Sequence, residues 1–140
     1  MTYTSKEDFA REIESLEADV QPFQAFAAYD RDGDCIEFFA RPDEFYGQRI
    51  DNVLTVYVSE QTGEVIGSLV KGVSRLLKSH PRLQIVVEDG RVRLDHILVA
   101  SMATSHDNPS ELPTIKYQKQ LLRAARTTGV EANLELAAAY

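Results

Sequence analysis

Apolar residues recur at every second position in two stretches of the chain, and each stretch folds back on a short polar turn. Ala25 to Tyr29 and Cys35 to Ala40 flank Asp30-Arg31-Asp32-Gly33-Asp34, while Asn52 to Glu60 and Glu64 to Val70 flank Gln61-Thr62-Gly63. Alternation of period two with a turn rich in Asp and Gly predicts a β-hairpin, the glycine supplying the positive φ that tight turns need. Leu83 to Glu88 and Val92 to Leu98 around Asp89-Gly90 predict a third strand pair. The connection Arg41 to Arg49, broken by Pro42 and Gly47, predicts an irregular segment.

A different period governs the rest. Thr4 and Glu7 form a capping box ahead of Phe9, Ile13, Leu16 and Val20, which fall on one face of a helix ending near Pro22. Gly72 to Ser79 predicts a short helix with Val73, Leu76 and Leu77 on one side, stopped by Pro81. Thr104 to Pro113 has loop composition, Thr114 to Thr127 predicts a basic amphipathic helix, and Ala132 to Tyr140 a last short helix.

These elements predict an α+β fold in a single domain over residues 1–140. An antiparallel sheet of four to six strands built from hairpins would carry helices on one face, with a β-rich core over 26–79 and helical flanks at 1–21 and 114–140. Phe26, Ala28, Ile36, Phe38, Leu54, Val56, Val58, Ile66, Leu69, Ile85, Val87 and Leu94 are the strand residues expected inside, with Val73 and Leu76 from the short helix.

Composition narrows the partners. The net charge of −7 opposes binding to phosphate backbones, so nucleic acid is not expected as a partner. Charge is also segregated: six acids stand against two bases between Met1 and Gln21, whereas Thr114 to Arg126 holds Lys116, Lys119, Arg123 and Arg126 with no acid. The two segments are expected to complement each other within one chain or between two copies, which favours a homo-oligomer, most simply a dimer. Met1 to Asp8 lacks the basic start and apolar run of a leader, and no stretch is long and apolar enough to span a bilayer, which predicts a cytoplasmic protein without a membrane partner. A single cysteine, Cys35, makes no internal disulfide.

Tyr29-Asp30, Asp34, Ile36 and Phe38, then Asp51, Leu54, Val56 and Tyr57, then Thr62-Gly63-Glu64-Val65-Ile66-Gly67 together resemble a family of small bacterial domains of unknown function. That family carries a Tyr-Asp start, an acid before the second strand and a Thr-Gly-Glu hairpin closing on Gly, and the resemblance covers about residues 26–79. It implies a β-rich module, for some members an antitoxin-like partner of a small toxin, with no catalytic residues to carry over. The chain differs from it in the long Arg41–Ile50 connection and in its added helices and strand pair.

The candidate chemistry is sparse. Asp30, Asp32 and Asp34 take the first, third and fifth places of an oxygen-ligand calcium loop, but Cys35 stands where that loop needs Gly and Arg41 where it needs Glu. His80, His96 and His106 lack metal-ligand spacing, so no metal site and no cofactor is expected. His106, Asp107 and Cys35 are the only residues suggesting a small hydrolase or ligand-binding enzyme, and neighbours in sequence make a catalytic group only by converging in space. Phe45, Tyr46 and Arg49 place aromatic and guanidinium groups on an irregular segment, where binding energy concentrates, and are the expected binding residues. The sequence therefore favours a non-enzymatic interaction module of bacterial type that self-associates and takes a protein partner.

Overall fold

The computed structural model describes residues 22–82, 87–104 and 112–134. The N-terminal capping box, the loop holding His106 and Asp107, and the segments 83–86 and 135–140 lie outside the described residues.

Five antiparallel strands form the main sheet: β1 (Phe26–Asp30), β2 (Cys35–Phe39), β3 (Phe45–Arg49), β4 (Leu54–Ser59) and β5 (Val65–Lys71), in the order β1-β2-β5-β4-β3. Both expected hairpins are present. In the second, Gly63 has a φ of 73°, as its turn requires, and Ser59 Oγ accepts the N–H groups of Gln61 and Thr62 at 3.2 Å. The first departs from expectation, because the positive φ of 49° falls on Asp34 and not on Gly33. Gly33 instead makes room, since a Cβ there would lie 3.1 Å from Asp30 Oδ2 and 3.2 Å from Cys35 Sγ.

Asp34 ties this turn to the first helix, α1 (Val73–Ser79). The N-cap of α1 is Gly72, which offers no side chain, so the orphan amides of the first turn need acceptors from elsewhere. Asp34 supplies them: its carbonyl accepts Val73 N–H at 3.1 Å, and its carboxylate accepts Ser74 N–H at 3.1 Å, Ser74 Oγ at 2.9 Å and the Tyr29 hydroxyl at 2.8 Å. Asp30 is engaged as well, accepting Asp32 N–H at 3.0 Å. The acidic turn is thus a cap and an Asx turn, whose carboxylates serve amides and hydroxyls.

Three sequence-based expectations are corrected. The segment read as irregular holds strand β3, whose residues are all exposed and so show no alternation. Val92 to Leu98 is not a strand: β6 (Arg91–Arg93) is short, and α2 (Leu94–Thr104) follows at once, burying Leu94, Ile97, Leu98 and Ser101 at helical spacing. Ala132 lies in a further strand, β7 (Glu131–Asn133), which pairs with β6 and lies against β1. The Asp89-Gly90 turn does form, with φ values of 52° and 74°, the signature of a type I′ turn.

Helix α3 (Leu112–Thr128) covers β5 and β4, burying Leu121 and Ala125 and leaving Lys116, Lys119, Arg123 and Arg126 exposed. A β-bulge between Tyr57 and Val58 frees the N–H of Val65, which Gln120 of α3 accepts at 3.0 Å. The core lies between this sheet face and the helices, around Ile36, Phe38, Leu54, Val56, Ile66 and Val70. Among the described residues no helix is long and apolar enough to cross a membrane.

Candidate functional site

The helices close one face of the sheet, and the other face carries the site. Strand pairing sets its composition. Phe26 lies opposite Phe39, Phe39 opposite Gly67, Gly67 opposite Tyr57 and Tyr57 opposite Gly47, so one row of positions crosses the whole sheet on the outer side, and Phe45 joins it diagonally from two residues before Gly47. Aromatic rings fill that row. Ring centroids are 6.2 Å apart for Phe23 and Phe26, 5.7 Å for Phe26 and Phe39, 5.3 Å for Phe39 and Tyr57, and 4.4 Å for Tyr57 and Phe45. These are the separations at which aromatic pairs attract beyond simple burial.

Gly67 makes the row continuous. A Cβ on it would fall 2.2 Å from the Phe38 carbonyl oxygen and 3.1 Å from Tyr57 Cδ2, so only glycine fits. With no side chain between them, Phe39 and Tyr57 stack over the gap with an interplanar angle of 25°. Tyr57 is further fixed by donating its hydroxyl to Glu37 at 2.6 Å. Burial, then the hydrogen bond to Glu37 and the charge of that carboxylate, push the Tyr57 phenol far above its ordinary pKa, so it stays a neutral donor.

The middle of the row is covered and its ends are open. Tyr57 is 7% exposed, whereas Phe26 is 44% and Phe45 39% exposed. Phe26 was expected in the core with Ala28 and Leu69, but the inward phase of β1 is Ala27 and Tyr29, and Leu69 shares the outer face. Arg49 lies on the outer side of β3 two positions beyond Gly47, where its guanidinium donates to the Asp51 carbonyl at 3.3 Å and to Asn52 Oδ1.

The structure therefore brings Phe45 and Arg49 onto one face and sends Tyr46 to the other, beside Tyr117 of α3. Burial first, then Tyr117, raises the Tyr46 phenol. Sequence reasoning missed Phe23, Phe39 and Tyr57. The available signal was phase, because Phe39 and Tyr57 both stand on the polar beat of strands whose other beat is apolar.

Nucleophile chemistry is poorly served at Cys35. The thiol is half-buried, and burial followed by the charges of Asp30, Glu37 and Asp34 pushes its pKa up, the opposite of what a reactive thiolate needs. His96, expected on a strand, sits on α2 next to Asp95, whose carboxylate is held by Arg93 at 3.0 and 3.1 Å. His80 caps the C-terminus of α1. Among the described residues no group of three or more His, Cys, Asp or Glu is placed to hold a metal ion.

Fold and site define an α+β domain that closes one sheet face with helices and presents a row of aromatic rings on the other. No protein-family model, curated protein or solved structure matches the chain.

Proposed function

We propose that the chain is a non-enzymatic interaction module of bacterial type, working in the cytoplasm, that self-associates and binds a protein partner through the outer face of its sheet. The observation that carries this reading is the aromatic row, in which Phe23, Phe26 and Phe45 remain exposed around a fixed Phe39–Tyr57 centre. Large rigid rings bury about 150–250 Å² each at small entropic cost, which is why they anchor protein interfaces.

Charge selects the partner's chemistry. A net charge of −7 repels phosphate backbones and favours a basic protein surface carrying apolar side chains, while the aromatic side of the sheet itself sets Arg49 and Lys71 beside Asp30 and Glu37. Placing a photoreactive benzoylphenylalanine at position 23 and irradiating living cells tests this. A discrete adduct with a basic protein, weakened by salt in extracts, is expected. A diffuse smear, or an adduct with nucleic acid, contradicts the reading.

A further inference from the structure

Strand β3 ends the sheet on one side, and among the described residues its one strand neighbour is β4. The direction of its backbone groups follows from two hydrogen bonds. Glu60 N–H donates to the Glu44 carbonyl and Ile50 N–H to the Leu54 carbonyl, both at 2.9 Å. In an antiparallel ladder residues alternate between facing the neighbour and facing away, so positions 44, 46, 48 and 50 address β4. The N–H and C=O groups of Phe45, Gly47 and Arg49 then point outward from the sheet.

An open edge of this kind is a template for another strand, and β3 carries little of what blunts one. Its sequence Phe-Tyr-Gly-Gln-Arg has neither proline nor lysine, and the β-bulge of the sheet lies between β4 and β5. Gly47 is informative because its φ is not positive, so the backbone does not demand glycine there. A Cβ would meet just the Thr55 methyl, at 3.3 Å. A strand glycine without a conformational reason often stands where a ligand or another backbone comes close.

We propose that β3 pairs antiparallel with β3 of a second copy about a two-fold axis at Gly47, joining two sheets into one of ten strands. This rests on the reading of the chain as a self-associating module and names the surface used. The register is self-complementary. Gly47 meets the partner's Gly47 with no side chain between them, and about six backbone hydrogen bonds form among positions 45, 47 and 49 of the two copies. Phe45 lies directly opposite the partner's Arg49 and Arg49 opposite the partner's Phe45, so two cation–π pairs close the outer face and no like charges oppose each other. The five donors of a guanidinium let Arg49 keep its bonds to Asp51 and Asn52 while its plane stacks on the ring. Because Phe45 ends the aromatic row, pairing sets two rows side by side on one continuous surface.

Sedimentation velocity over a concentration series, with each variant checked by thermal melting, tests the register. Wild type is expected to be a reversible dimer. Arg49→Glu should weaken it roughly ten-fold by removing both cation–π pairs. Phe45→Glu should preserve it, because the new carboxylate faces the partner's Arg49, whereas the double variant Phe45→Glu/Arg49→Glu opposes carboxylates and should be monomeric. Gly47→Pro removes an outward N–H without touching the bonds to β4, and should be monomeric with an intact melt. A dimer indifferent to Gly47→Pro and to the double variant overturns the edge pairing while self-association by another surface stands. Wild type that stays monomeric at every concentration overturns both.

Discussion

Phe38 and Phe39 are adjacent in the chain and lie on opposite faces of the same strand, and their surroundings differ completely. Phe38 is 0% exposed beneath the helices, while Phe39 is half-buried in a row that runs out to exposed rings at both ends. Every strand of the sheet offers two faces, but the described helices cover one. The aromatic residues of the second face hold each other in place, through Gly67 and the Tyr57–Glu37 hydrogen bond, and so remain ordered without being enclosed. Burial and order are thus separable, and an exposed surface can be preorganised by its own rings.

Truncation separates the two faces most visibly. Phe38→Ala should destabilise the fold by about 3–5 kcal/mol, the usual cost of emptying a fully packed aromatic site, whereas Phe39→Ala should cost roughly half as much or less. Urea denaturation of the two variants measures the difference, and equal losses would mean the outer face is as enclosed as the inner. Next in size comes Gly67→Ala, which should destabilise by about 2–3 kcal/mol because its Cβ meets backbone at 2.2 Å, a contact no side-chain rotation relieves. Gly47→Ala should cost at most about 1 kcal/mol. A similar value for both would remove the special standing of Gly67 in the row.

A smaller effect falls on Tyr57. Its phenol is raised in the folded state, so the unfolded chain ionises first; stability is fully present below the ordinary tyrosine pKa of about 10 and is lost as pH climbs above it. Urea midpoints taken at pH 9 and again above pH 10 should fall for wild type and fall less for Tyr57→Phe. An identical drop in both proteins would show that other groups carry the alkaline loss.

Much of the inner face was legible because it depends on local pattern. Ile36, Phe38, Leu54 and Val56 announce themselves by alternation, and Gly63 and Asp89-Gly90 by turn chemistry. The outer face was not, since its row is made by register among five strands, and its centre joins Phe39 to Gly67 through the β2–β5 pairing, which no hairpin supplies. Phe45 and Arg49 were visible as candidates, but nothing local links them to Phe26 or Tyr57. Strand β3 hid behind Gly47 and uniform exposure, and α2 behind a run of apolar residues after a hairpin turn, where helix and strand periods cannot be told apart. The phase of β1 was ambiguous because Ala27 and Ala28 are both small. Tertiary packing chose Ala27.

On the proposed function the open ends of the outer row serve binding and not stability, and one variant separates the two. Phe26→Ser/Phe45→Ser removes both open ends of the row while leaving Phe39, Gly67 and Tyr57 in place. With the photoreactive group at position 23, this variant should melt within a few degrees of wild type, as expected for partly exposed positions, and should lose the covalent adduct formed in cells. An adduct retained at wild-type yield, or a chain that no longer folds, would contradict the claim.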